Sequence, residues 1–182
     1  MNRENPSTPK PPTPPNPGRV ATTFVVKLVV LTLLVGFAEG YLHQAGRGQW
    51  LQNMVTTVVA GLVSLFDSSV HAEDDQILGH GPILLVTLQC TAVFAKGLFC
   101  AAVIAYPCPW RARLVGLVVG LVGVAIVNIL RIVSLVLIAQ WAMGLFHFAH
   151  LVLMQGFLIS CVAPLWLAWA VWATKRAKRS HG

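Results

Sequence analysis

Long apolar runs alternate with short polar segments along most of the chain, and this pattern predicts membrane-spanning helices. The first run covers residues 20–38, and at 1.5 Å per residue it extends about 28 Å, enough to cross a hydrocarbon core of about 30 Å. Residues 114–141 and 148–173 form two further long runs. The segment from Cys90 to Pro107 predicts another span, because the prolines of Pro107-Cys108-Pro109 stop a helix there.

Two shorter apolar segments precede Cys90, and neither predicts an upright span. Residues 54–66 are too few to cross the bilayer, but they suit an interfacial or re-entrant helix on the outer surface. A crossing there would also place the acidic stretch that begins at Asp67 on the cytoplasmic side, against the positive-inside rule. Residues 83–88 are predicted to form a short extended or re-entrant segment that leads to Cys90. A continuous span over residues 82–106 is the alternative, and it buries Cys90 more deeply.

The two ends of the chain differ from the apolar middle. Seven prolines lie between Asn5 and Gly18, among Ser, Thr, Asn and Lys. Such a segment cannot bury a core, so residues 1–19 are predicted to form a disordered cytoplasmic tail. Residues 175–182 predict a second, basic cytoplasmic tail. Residues 20–174 between them predict one membrane-embedded domain.

Composition and charge agree with a membrane protein. Of 182 residues, 56% are hydrophobic and 10% are charged, which lies outside the range of soluble domains. The net charge of +7 does not indicate nucleic-acid binding, because the basic residues flank apolar runs and orient helices there. In a topology with four spans, five of the six acidic residues lie outside the cell and nine of the thirteen basic residues lie in the cytoplasm. Those nine are Arg3, Lys10, Arg19, Arg111, Arg113, Lys175, Arg176, Lys178 and Arg179. The prediction is an all-α integral membrane protein with about four transmembrane helices, an outer interfacial or re-entrant segment, and both termini cytoplasmic.

Three chemically distinctive residues are predicted to lie at a similar depth, near the outer face. Cys90 lies 17 residues before Pro107, about 25 Å of helix, and Arg131 lies 18 residues after Arg113, about 27 Å. His150 lies 25 residues before Lys175, about 37 Å. The three heights, each counted from the cytoplasmic side, predict one shared site.

A thiol, a guanidinium and an imidazole are the groups that cysteine-based acyl transfer uses. An arginine inside a span is costly, so Arg131 is a functional candidate, and Asn128 lies on the same side of its helix. Gly116 and Gly120 favour close approach of another helix to that side. Each residue also has a structural interpretation: Cys90 as a buried thiol, Arg131 as an interfacial anchor, and His150 as an interfacial histidine with His147 as its rival.

The order and spacing of these residues resemble the exosortase/archaeosortase family of membrane-embedded cysteine transpeptidases, most closely its compact exosortase H branch. The matching pieces are Cys90-Thr91, the run from Asn128 through Arg131 to Leu135 (NILRIVSL), and Ala149-His150. The resemblance extends from about Pro82 to the C-terminus. One position departs from it: Ala92 stands where many members carry a glycine.

The resemblance implies that residues 20–174 form a catalytic domain in the bacterial inner membrane, with the site facing the periplasm or exterior. Cys90 is then the nucleophile, His150 the proton carrier and Arg131 the stabilising cation, with Asn128, His147 and Thr91 supporting them or binding substrate. The implied substrates are exported proteins with a C-terminal sorting motif, a transmembrane helix and a basic tail. Membrane lipid is the other expected partner, and no metal, cofactor or nucleic acid is expected.

The alternative from another class is a small channel or assembly subunit, in which Arg131 and Lys96 line a polar pathway.

Overall fold

The computed structural model of the protein describes residues 16–151 and 156–179. In this part of the chain there are six α-helices, three short strands and one 3-10 turn. Predictions for residues 1–15, 152–155 and 180–182 lie outside the described residues. The elements are α1 (Pro17–Gln44), α2 (Gln49–Val63), β1 (His71–Glu73), β2 (Gln76–Leu78), β3 (Leu84–Leu85), the 3-10 turn (Leu88–Thr91), α3 (Val93–Ala105), α4 (Trp110–Trp141), α5 (Met143–Leu151) and α6 (Leu158–Arg179).

The long helix α4 is the element around which the others pack. Its 32 residues extend about 48 Å, which exceeds the hydrocarbon core of a bilayer. The first half of α4 packs with α3 and α6 around Phe99, Val124 and Trp169. The second half packs with α2 and the strands around Val59, Ile77 and neighbouring aliphatic residues. The fold therefore has two apolar cores joined by one helix.

Three of the described helices are long and apolar enough to cross a membrane, namely α1, α4 and α6. This finding confirms a predominantly helical membrane protein. The helix α3, with 13 residues, extends only about 20 Å. The count of four crossings and the cytoplasmic position of both termini therefore stay predictions.

Several helices have bounds that differ from those predicted. The helix α1 begins at Pro17, and it continues to Gln44 instead of ending at Ala38. Proline at the first helical position suits a helix start, and the Asn16 side chain caps it by accepting from the Gly18 amide at 3.0 Å. The helix α4 begins at Trp110, directly after the Pro109 cap. These helices thus extend through polar residues beyond the apolar segments from which their bounds were predicted.

The prediction of an all-α chain is wrong in one region, because residues 71–85 form a three-stranded antiparallel sheet in the order β1-β2-β3. Its first two strands are joined by Asp74 and Asp75. Asp74 has a φ of 52°, a left-handed conformation that aspartate tolerates in tight turns. Strands of two or three residues carry almost no periodic signal, so the sequence pattern did not predict them.

The sheet and α2, residues 49–85, together form what we call the outer cap, after the side of the membrane on which the sequence predicts them. Val55, Val59 and Val63 recur every fourth residue and form the buried stripe of α2. Trp50 and Met54 on the opposite side are exposed. Apolar residues on both sides suit a helix that packs on protein with one side and on lipid with the other. Its shortness agrees with the prediction that residues 54–66 do not cross upright.

The outer cap is tied to the end of α4 through Gln140. The Gly81 amide donates to the Gln140 side-chain oxygen. A Cβ atom at Gly79 would lie 2.6 Å from Gln140 Nε2, and one at Gly81 would lie 3.2 Å from the Ala139 carbonyl oxygen. A side chain at either position would require the Gln140 side chain or the Ala139 carbonyl to shift, so glycine permits this close approach. At the base of the cap, the Ser69 hydroxyl and amide donate to Asp67 and hold the pKa of its carboxyl below the usual range.

Glycines on α4 allow aromatic rings to cross close to its backbone. A Cβ atom at Gly116 would lie 2.4 Å from the Trp169 ring of α6, and one at Gly120 would lie 1.8 Å from the Phe99 ring of α3. The predicted close helix approach at this pair is confirmed. Asn128 and Arg131, on the same side of α4, are 1% and 2% exposed, so the prediction that this side faces the interior is also confirmed.

Candidate active site

Cys90 lies in the 3-10 turn of Leu88–Thr91, between β3 and α3. The predicted extended approach over residues 83–88 is therefore confirmed at β3, and the alternative of a continuous span over residues 82–106 is wrong. Cys90 also does not begin α3, since the helix starts three residues later at Val93. Its Sγ atom lies 3.4 Å from the Thr87 hydroxyl oxygen. The thiol is half-buried, so it remains accessible to a small reactant.

Two polar side chains of α4 hold the main chain of Cys90. Asn128 Nδ2 donates to the Cys90 carbonyl oxygen at 2.8 Å, and Arg131 Nη2 donates to the same oxygen at 3.4 Å. Both side chains come from the buried side of the helix. Buried polar groups are costly unless they are hydrogen-bonded, so these contacts fix the turn and the two side chains against each other.

Ala92 follows the turn in a left-handed conformation, with φ 54° and ψ 34°. L-residues with a side chain rarely adopt this conformation, whereas glycine adopts it freely. The structure thus gives a physical reason for glycine at this position in proteins that the chain resembles. In this chain the alanine keeps the same backbone path at a conformational cost of about 1–2 kcal/mol.

Thr91 and Lys96 complete the hydrogen bonding of the turn. The Thr91 hydroxyl donates to the Leu88 carbonyl at 2.6 Å, and the Thr91 side chain is fully buried. Lys96 Nζ donates to the Thr91 carbonyl at 3.0 Å. Sequence analysis gave Lys96 no partner in the fold. Both residues stabilise the segment that carries Cys90.

Cys90, Arg131 and His150 line one small cavity of about 70 Å³ beneath the outer cap. The imidazole belongs to α5 and is half-buried beside Phe146, with 5.7 Å between the ring centroids. His147, one helical turn earlier, is exposed and does not line this cavity. The structure therefore brings together the three residues selected from the sequence, and it separates the two histidines.

The position of His150 within its helix differs from the prediction. It was expected near the start of a span over residues 148–173, but it lies near the end of the short helix α5. The break at Ala142, which has φ −144° and ψ 52°, separates α5 from α4.

A larger cavity of about 470 Å³ lies on the other side of Arg131. Arg131 lines both cavities, and the larger one is bounded by α1, the Cys90 turn and α3. Glu39, His43 and Gln89 contribute its polar groups. Glu39 and His43 are one helical turn apart on α1, in the segment that hydropathy placed beyond the span. The predicted end of that span at Ala38 is the reason the sequence did not include them in the site.

The other three cysteines are free, and they do not line the cavity of Cys90. Cys108 lies in the connection between α3 and α4, where burial raises the pKa of its thiol. A thiol with a raised pKa is mostly protonated at neutral pH and is a weaker nucleophile. What distinguishes Cys90 is that it shares a cavity with Arg131 and His150.

These features define a membrane protein with one cysteine, one arginine and one histidine around a single cavity at the end of its longest helix. Comparison with known families gives the next step. The family described as Transmembrane exosortase (Exosortase_EpsH) matches residues 18–169, which is most of the chain. The chain belongs to the transmembrane exosortase family, and the predicted family is confirmed. Its general class is thus a membrane transpeptidase. No curated protein and no solved structure matches the chain.

Proposed function

We propose that the protein is a cysteine transpeptidase that cleaves the C-terminal sorting signals of exported proteins at Cys90, with Arg131 and His150 as its partners. The observation that carries this proposal is the cavity shared by these three side chains. Family membership supports the general activity. The fixed main chain of Cys90 supports its role as nucleophile, because a reacting atom must be held within a few tenths of an ångström.

In the proposed first step, His150 takes the proton of the Cys90 thiol, and the thiolate attacks a peptide carbonyl carbon of the substrate. The carbonyl oxygen becomes an oxyanion, which the Arg131 guanidinium stabilises. When the peptide C–N bond breaks, His150 returns the proton to the leaving amine. The product is a thioester between the substrate and Cys90. An incoming amine or hydroxyl group, or water, then releases the acyl group and regenerates the thiol.

The larger cavity gives the proposed substrates room near Cys90. Its volume of about 470 Å³ lies in the range of small-molecule and peptide side-chain sites. It meets the small cavity at Arg131, so a peptide in the larger cavity approaches the guanidinium. Asn128 acts in this proposal as a positioning residue, through its bond to the Cys90 carbonyl. Thr91 also acts through the turn, and His147 is assigned no proton transfer.

We assign the site to the periplasmic or exterior face of the bacterial inner membrane, where exported substrates arrive. The asymmetry of charge supports this orientation. A single cysteine introduced at Asp74 into a cysteine-free variant should react with an impermeant maleimide in intact cells. The same label should reach position 111 only after the membrane is opened. Labelling at 111 and protection at 74 in intact cells would contradict the orientation.

The experiment that tests the activity is trapping of the acyl-enzyme. The purified full chain is mixed with a tagged exported protein that carries a candidate sorting signal, and the adduct is treated with hydroxylamine. A hydroxylamine-sensitive thioester is expected with the wild type and not with Cys90→Ala. Cys108→Ala is the matched control and should retain cleavage. Cleavage at the normal rate by Cys90→Ala would overturn the proposal.

Substitution of Arg131 separates the enzyme from a channel. Arg131→Lys keeps the charge, but an ammonium group cannot reproduce the planar set of donors. The enzyme proposal expects a large loss of cleavage, whereas a pore that needs only a positive charge would keep its conductance. The channel hypothesis has less support, because both Arg131 and Lys96 donate to carbonyls of the Cys90 segment.

A further inference from the structure

Three cationic side chains meet in a cavity far from Cys90, at the end of the fold where α4 begins. This cavity has a volume of about 370 Å³ and lies between the first turns of α1 and the connection from α3 to α4. Arg19 and Lys27 line it from α1, and Arg113 lines it from α4. Arg113 and Arg131 are 18 residues apart on one helix, which separates this cavity from the candidate active site by about 27 Å.

Among the described residues that line the cavity none is acidic, so no acidic side chain from that part of the chain balances the three cations there. Within residues 16–151 and 156–179, the ion pairs are histidine–carboxylate pairs of the outer cap. Arg113 Nη2 donates to the Tyr106 carbonyl at 3.3 Å, which holds the guanidinium against the connection. The nearby start of α4 has no side-chain cap, so the positive end of its dipole adds to the field. This arrangement favours an anion.

The aromatic rings around the cavity suit a position at the level of lipid headgroups. Phe24 and Tyr106, which line it, have ring centroids 6.2 Å apart. Trp166 lies 5.9 Å from Tyr106, and the Tyr106 hydroxyl is 2.8 Å from that of Thr174. Tyrosine and tryptophan gather at membrane–water interfaces because their rings are apolar and their tips are polar. Outside the cavity, α1 exposes Val25 and other aliphatic side chains to lipid.

We propose that this cavity binds the phosphodiester headgroup of an anionic phospholipid. Basic pockets between transmembrane helices on the cytoplasmic side recognise such headgroups. The cations of Lys27 and Arg113 contact the phosphate, and the acyl chains lie along the exposed aliphatic surface of α1. Free phosphate shares the charge but has no acyl chains. It therefore gains nothing from that surface.

The test is a titration of the purified full chain in a neutral detergent, followed by its tryptophan fluorescence. The probes are short-chain phosphatidylglycerol, phosphatidylcholine with the same acyl chains, and inorganic phosphate. Phosphatidylglycerol is expected to bind much more tightly than the other two. The double variant Lys27→Gln/Arg113→Gln should weaken its binding about 25-fold, at about fivefold for each charge removed.

The matched control is Arg111→Gln/Lys175→Gln, which removes the same two residue types at the same end of the fold. Arg111 and Lys175 are exposed and do not line the cavity, so binding should stay near the wild-type value. The single variant Lys27→Gln, with an expected fivefold effect, keeps the test valid if the double variant does not fold. Equal affinity for the two lipids, or equal weakening in the control, would overturn the proposal. Saturation by inorganic phosphate that excludes phosphatidylglycerol would overturn the lipid assignment.

Discussion

Replacement of Ala92 by glycine should relieve backbone strain beside the candidate nucleophile. Ala92 has φ 54° and ψ 34°, and the left-handed conformation costs a residue with a Cβ atom about 1–2 kcal/mol. Two losses oppose this gain. The alanine methyl is 5% exposed, and removing it costs about 0.8 kcal/mol of burial. The greater freedom of glycine in the unfolded chain costs about 0.4–1 kcal/mol. The free energy of unfolding should therefore change by less than about 1 kcal/mol.

The informative quantity is the difference in the free energy of unfolding between Ala92→Gly and the control variant Ala101→Gly. Ala101 is 2% exposed and lies inside α3. Its substitution by glycine removes the same methyl group and increases the freedom of the unfolded chain in the same way. It relieves no strain, because the backbone of Ala101 is helical. Ala101→Gly is expected to lower the free energy of unfolding by about 2 kcal/mol. The shared terms cancel between the two variants, so their difference isolates the backbone conformation of Ala92, about 1–2 kcal/mol.

Thermal unfolding in detergent micelles measures this difference through the midpoint. At this chain length, 1 kcal/mol corresponds to about 2–4 °C, so Ala92→Gly should unfold about 2–8 °C above Ala101→Gly. One fixed heating rate is needed, because membrane proteins often unfold irreversibly. Equal midpoints would refute the left-handed conformation of Ala92. They would also remove the physical reason given for a glycine at this position in proteins that the chain resembles.

Three further predictions concern the site and the packing around it. His150→Ala should abolish substrate processing and His147→Ala should leave substantial activity, because only His150 lines the cavity of the candidate nucleophile. If His147→Ala abolished cleavage and His150→Ala did not, the proton carrier would be misassigned. Asn128→Leu should reduce processing by about 5- to 30-fold, since it removes a buried hydrogen bond worth about 1–2 kcal/mol, and an unchanged rate would exclude a positioning role. Gly120→Ala should lower the thermal midpoint, because the new methyl would overlap the phenylalanine ring of α3 and overpacking costs about 1–3 kcal/mol. Gly61→Ala, with open space at its Cβ position, is its control, and equal shifts in the two would contradict the packing.

Part of the site could be predicted from the sequence, because in a membrane-spanning helix the number of residues from one end gives the depth in the membrane. A fixed rise per residue gave similar heights for Cys90, Arg131 and His150, and a fixed rotation put Asn128 beside Arg131. The structure has these residues around one turn and one cavity. The structure places Cys90 in a 3-10 turn and His150 in a short helix before α6, so the heights themselves stay predictions.

The strands of the outer cap and its attachment to α4 could not be predicted, because they depend on contacts between segments distant along the chain. Gln140 and Gly81 are 59 residues apart, and nothing in either local sequence indicates that they meet. Strands of two or three residues are stabilised by the surface on which they pack, and their own pattern is too short to show a period. The same reason explains the missed role of Lys96, whose partner is a main-chain carbonyl.

The sequence by itself determined that the chain is a membrane protein and that the runs of α1, α4 and α6 are apolar enough to cross, and it predicted which residue types stand near one end of the spans. These properties depend on composition and helical repeat, which are local. Only the tertiary structure decided that Arg131 lines two cavities, that His150 and not His147 lines the cavity of Cys90, and that Ala92 takes a left-handed conformation. Those properties depend on how helices cross and where a turn is held, and both are set by packing between residues far apart in the chain.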